Sequence, residues 1–84
     1  MNRNDLFNDI ERGQYSIGKS IYMMRRSVKV NRIDFAKKIG ISKRTLEEIE
    51  QGRGNPTLKT LEKILSVFNF EVTLRRRNSD SISG

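Results

Sequence analysis

From Leu6 to Phe68 the apolar residues recur three and four positions apart, the spacing of helices with one buried stripe. Leu6, Phe7 and Ile10 predict a short helix over 4–12, with Asn4 as its N-cap and Gly13 as its stop. A helix of that length does not hold itself together in water, so it must dock on something larger. Ser16 caps a longer helix over 17–29, with Ile17, Ile21, Met24 and Val28 as its stripe and Lys19, Arg26 and Lys29 facing outward. Asn31 is followed three residues later by Asp34, a relative of the capping box, which starts a third helix at Arg32. Phe35, Ala36 and Ile39 form its buried face. Gly40 ends that helix in a left-handed turn, Ile41 fills the turn, and Ser42 caps a fourth helix over 43–51, closed by Gly52. After a loop over 53–56, Thr57 caps a fifth helix over 58–68, with Leu58, Leu61, Ile64, Leu65 and Phe68 on its apolar face.

The period then changes. Phe70, Val72 and Leu74 alternate with Glu71, Thr73 and Arg75, which predicts a strand over 70–76. A single strand leaves its backbone donors and acceptors unpaired, and the most economical partner is the same segment of a second copy. The expected architecture is all-α, four to five helices with a C-terminal strand pairing across a homodimer. Residues 1–15 read as an accessory helix or arm, 16–69 as the helical domain, 70–76 as the dimerisation strand, and 77–84 as a polar, Ser-rich, flexible tail.

Composition narrows the function. Eighty-four residues with 35% hydrophobic positions make one small domain with a thin core, which a second copy would supplement. The net charge of +7 calls for a polyanionic partner, although charge alone does not separate DNA, RNA and acidic membrane. Without cysteine or histidine there are no disulfides, thiol nucleophiles, histidine-based triads or usual zinc sites. The acidic residues are scattered, so neither a metal-dependent nuclease nor an activated nucleophile is expected, and no cofactor is implied. The start of the chain lacks the apolar run of a signal peptide, and no stretch approaches the roughly 18 apolar residues of a membrane span. A cytoplasmic protein is the simplest expectation.

Two short amphipathic helices folded about Gly40, the second with Lys43 and Arg44 at its tip, point to a helix that enters the DNA major groove. With Leu46 and Ile49 turned to the core, Arg44, Glu47, Glu48 and Gln51 fall on the opposite face and Lys43 flanks it. Arg44 suits guanine O6 and N7, and Lys43 suits guanine or phosphate; Glu47 and Glu48, which repel phosphates, either exclude wrong bases or accept from cytosine N4, with Glu48 the candidate base reader. The plain alternative is a solvated face with an Arg44–Glu48 pair, worth only about 0.3–0.5 kcal/mol. Arg32, Ser42, Thr45, Arg53 and Asn55 are the candidate phosphate contacts around this helix. Lys37 and Lys38 carry no specific role, and the run 75–77 reaches DNA, grips an acidic partner or simply keeps the tail soluble, the last weighing as much as the other two together.

Ile17 to Arg25, Val30 to Gly40, Ile41 to Gly52 and Asn55 to Leu58 together resemble the XRE family of phage-repressor-like helix-turn-helix proteins, over about two-thirds of the chain. The resemblance implies a structural ion pair between Arg25 and Glu50, so neither is a base reader. Arg32 stands where the family usually has a Gln that braces the reading helix against a phosphate, which implies that phosphate contact is kept and the brace lost. Lys29 stands where glycine is common, which implies strain in that turn, and Phe35 replaces the usual Leu. The step from the last helix into 70–74 is similar to HipB-type antitoxins. That likeness implies a dimeric repressor of its own operon that binds a HipA-type kinase toxin and a pseudo-palindromic double-stranded operator. A stand-alone phage or restriction-modification regulator without a toxin, and a protein-only adaptor that has lost DNA binding, are the alternatives.

Overall fold

A computed structural model describes residues 3–73 of the chain. These residues form α1 (Arg3–Glu11), α2 (Ile17–Ser27), α3 (Arg32–Ile39), α4 (Lys43–Glu50) and α5 (Leu58–Ser66). Each start after α1 is set by a side chain. Ser16, Asn31, Ser42 and Thr57 lie in the extended conformation and accept from the backbone N–H groups of Lys19, Asp34, Thr45 and Thr60 respectively. The stops also share a form. Gly13, Lys29, Gly40, Gly52 and Asn69 all have positive φ, and the next residue's N–H reaches back to a carbonyl of the helix, as from Ile41 to Ala36 at 3.0 Å and from Phe70 to Leu65 at 2.9 Å.

The stripes converge on one core of Ile21, Met24, Phe35, Ala36, Ile39, Leu46, Ile49, Ile64, Leu65 and Phe68. Phe35 stacks on Phe68 with ring centroids 5.8 Å apart. The N-terminal helix joins this body through buried Leu6 and through Phe7, whose ring meets Phe68 and Phe70 edge-on at 6.4 and 5.5 Å. Arg3 adds a donor to the Ser27 carbonyl at 3.5 Å. No buried side-chain polar atom among the described residues lacks a hydrogen-bond partner, as a well-formed interior requires.

Several expectations need correction. Asn4 lies inside α1 rather than capping it. The second and fifth helices stop at Ser27 and Ser66, two residues short of the expected ends, because left-handed Lys29 and Asn69 draw the chain into a tight turn. Ile17 and Leu58 are 49% and 58% exposed, since each sits in the first turn of its helix, beyond the reach of the core. No strand is formed among the described residues, and Leu74, the rest of the expected strand and the tail over 77–84 lie outside them. Phe70 instead follows the turn at Asn69 and packs within the same chain, on Phe7 and the core. Apolar contact at this position after a left-handed helix stop is the usual companion of that turn.

Candidate nucleic-acid interface

Gly40, with φ of 90°, makes the reversal between α3 and α4 possible, and a β-carbon there would strain the backbone. The reversal leaves Leu46 and Ile49 buried beneath α4 and its first turn standing clear of the body. Burial of Leu46, which is fully enclosed, contributes about 1.5–3 kcal/mol. The Arg44 side chain is 89% exposed, and Lys43 and Thr45 are exposed beside it. A shallow cleft of about 190 Å³ is lined by Arg44, Glu47, Glu48 and Arg53.

Both basic residues of this turn already face a carboxylate one helical turn on. Lys43 lies 3.4 Å from Glu47, and Arg44 lies 3.8 Å from Glu48. At these exposures each pair is worth only a few tenths of a kcal/mol, so a stronger acceptor can displace it. Glu48 is held from below as well, where Gly54 lies beside its Cβ and its backbone carbonyl accepts from Arg53 at 2.8 Å.

The candidate phosphate contacts divide by how much donor capacity they retain. The Ser42 hydroxyl is committed to the cap, accepting from Thr45 N–H at 3.0 Å and donating to Thr45 Oγ1 at 2.8 Å. The Thr45 hydroxyl keeps its own proton for an outside acceptor. Arg53 bonds the Gln51 side chain, and Asn55 is exposed in the loop behind α4.

Glu50 ends α4 and is buried at the centre of a charged cluster. Arg25 donates to it twice, from Nε to Oε2 at 2.7 Å and from Nη2 to Oε1 at 3.1 Å, and spends Nη1 on the Val30 carbonyl at 2.8 Å. Arg32 adds Nε to Oε1 at 3.0 Å. The expectation that Arg32 loses the brace on the reading helix is therefore revised. It is tied to the end of α4 directly, through a carboxylate, in addition to any phosphate it holds.

Tyr22 is a member of this cluster that sequence reasoning missed. Its ring lies 5.6, 5.7 and 5.9 Å from the guanidinium carbons of Arg25, Arg26 and Arg32, and its hydroxyl accepts from Arg26 at 3.1 Å. The spacing of Tyr22 from Arg26, one helical turn, was the available signal. Its contact with Arg32 depends on the crossing of α2 and α3.

Among the described residues, no group of acidic residues is arranged to hold a metal ion, and no helix is long and apolar enough to cross a membrane. A helix-turn-helix family profile matches residues 21–74, most of the folded body. The chain is also 31% identical, over 58 residues, to an immunity repressor protein of Bacillus phage phi105. That alignment covers 69% of this chain and 40% of the relative, so the chain spans well under half of the relative's length. No solved structure matches it. With caps, turn and buried helix faces in the matched region, the chain belongs to the helix-turn-helix family, in its XRE, phage-repressor-like branch.

Proposed function

We propose that this protein is a sequence-specific, double-stranded-DNA-binding transcriptional repressor that acts as a homodimer. The observation that carries the reading is the first turn of α4, where Lys43 and Arg44 project from a helix anchored by buried Leu46 and Ile49. Their carboxylate partners are loose enough to be exchanged for base edges or phosphates. Lys43, Arg44 and Glu48 read bases; Arg32, Thr45, Arg53 and Asn55 hold phosphates, with Ser42 supporting Thr45. The likeness to a phage immunity repressor supports a regulatory role.

Two copies related by a two-fold axis would present α4 to successive major grooves about 34 Å apart, on a pseudo-palindromic operator. The alternation of Phe70, Val72 and Leu74 supports a strand pair between copies. Val72 is exposed at 42% and free to join such a pair, whereas Phe70 is already engaged within its own chain.

A narrower reading makes the protein the antitoxin of a HipBA-like operon that represses its own transcription and binds a kinase toxin. It rests on the step from the last helix into the C-terminal alternation, while the phage repressor relative supports a stand-alone regulator. Purification of the untagged protein with the products of neighbouring genes separates the two. A kinase that co-elutes in fixed stoichiometry supports the antitoxin, and its absence from a complex reconstituted with both proteins removes that reading. DNA recognition itself is tested by selecting bound sequences from a random duplex pool.

A further inference from the structure

Not every carboxylate of this basic chain faces a cation. Glu11, at the end of α1, and Glu71, beyond α5, are exposed, and neither joins an ion pair among the described residues. Both line a groove of about 300 Å³ where α1 and the start of α2 meet the end of α5. The rest of its lining is mainly apolar, with Ile10, Ile17, Leu65 and Phe70. Ile17 stays half-exposed there, and Val72, between the lining residues Glu71 and Thr73, is exposed as well. Thr73 is the last described residue, and the chain continues Leu74-Arg75-Arg76-Arg77.

We propose that this groove receives residues 74–77 of a second copy, which makes α1 part of the dimer interface. The inference rests on the homodimer proposed above and names the surface that the second copy covers. Charge selects the occupant, because a groove with two unpaired carboxylates meets a leucine followed by three arginines. The chain's own residues 74–77 do not fill it. Thr73 is part of the wall, so they would have to double back at once, and none of them is a residue that favours a tight turn. An antiparallel second copy brings the same residues in from the opposite direction without any reversal.

The register follows from the side chains. Facing residues of a two-fold antiparallel pair lie on the same face, so the pair centres on a residue. With Thr73 opposite Thr73, Val72 meets Leu74 and Glu71 meets Arg75. Centring on Val72 sets Glu71 against Thr73, and centring on Leu74 sets Val72 against Arg76; each gives up one of the two matches. In the favoured register Arg76 and Arg77 run on past Phe70, where Glu11 is the remaining carboxylate of the groove. Ile17, left open by the helices of its own chain, is covered by the second copy.

Sedimentation equilibrium of the full chain tests the groove. Glu71→Arg and Arg75→Glu each set like charges opposite one another twice per dimer, so each alone should weaken dimerisation by roughly tenfold or more. Mixed in equal amounts, the two variants should recover a dimer of nearly unmodified affinity, because each copy then faces the opposite charge. Ile17→Lys should weaken the dimer similarly. Leu58→Lys, at the first residue of another helix, comparably exposed and outside the groove, should not. Thermal melts verify that every variant folds. Single variants that dimerise fully, or a mixture no stronger than its components, overturn the groove while leaving the homodimer standing. Weakening by Leu58→Lys without weakening by Ile17→Lys overturns it as well and moves the interface to α5. An unmodified chain that stays monomeric at high concentration overturns the homodimer and the groove together.

Discussion

Gly18 on α2 lies against the end of α4 so closely that a β-carbon there would overlap the Ile49 carbonyl oxygen and come within 3.1 Å of the Glu50 carbonyl oxygen. This is a contact of backbone with backbone, and neither side can rotate away. The angle at which α4 leaves the body is thus set by the absence of a side chain on another helix.

Gly18→Ala should accordingly destabilise the fold, even though alanine is favoured over glycine inside a helix by about 1 kcal/mol. The expected net loss is about 1–3 kcal/mol, the range for overpacking a tight interior. Urea denaturation measures it. Unchanged or increased stability would mean that α2 and α4 can move apart without cost.

The Arg25–Glu50 pair has side chains only 4% and 1% exposed. Removing one member leaves a buried charge without its partner, which typically costs about 3–5 kcal/mol. Glu50→Ala is expected to fall in that range and to loosen Arg32 as well, since both arginines use the same carboxylate. Arg32→Gln removes only the outer member, and its loss should be much smaller. Equal losses in the two variants, measured by denaturant titration, would show that Arg25 is not the dominant partner.

Lys29 offers a prediction of the opposite sign. A left-handed conformation costs a non-glycine residue about 1–2 kcal/mol, part of which glycine returns through the greater freedom of its unfolded chain. Lys29→Gly should raise stability by up to about 1 kcal/mol, measured by denaturant titration. A variant less stable than the unmodified chain would show that Lys29 holds the left-handed turn without strain.

Much of this was legible beforehand. The caps at Ser16, Asn31, Ser42 and Thr57 and the stop at Gly40 are local chemistry, in which a short polar side chain meets a backbone N–H three residues on, and local chemistry can be read along a chain. What depends on helices crossing could not be. The exposure of Ile17 and Leu58 reflects where neighbouring helices end. Arg32 meeting Glu50, and Tyr22 standing among three arginines, require α2, α3 and the end of α4 to converge. The alternation beginning at Phe70 has the period of a strand, but its first residue is drawn against the helical core by the turn at Asn69. A periodic pattern cannot reveal that competing pull.

Truncation after Phe68 bears on assembly. It removes the segment proposed to pair between copies and also the Phe70 contact with Phe7. Sedimentation should show weakened dimerisation, and operator affinity should fall with it as bivalent engagement is lost. Phe7→Ala is the needed companion, because it disturbs the same aromatic cluster while leaving the C-terminal segment in place. Full dimerisation of the truncated chain would place the interface elsewhere.

The most direct measurement is enrichment of bound sequences from a random duplex pool by the unmodified protein and by Arg44→Ala, with affinities then measured on the selected site. The account predicts a pseudo-palindrome whose half-sites lie about one helical turn apart. Arg44→Ala should lose about 1–3 kcal/mol of binding and its preference at one position of each half-site, whereas Arg53→Ala should weaken every sequence alike. A pool without enrichment, or an Arg44→Ala protein that selects the same site with the same affinity, would contradict the claim that the exposed tip of α4 reads DNA.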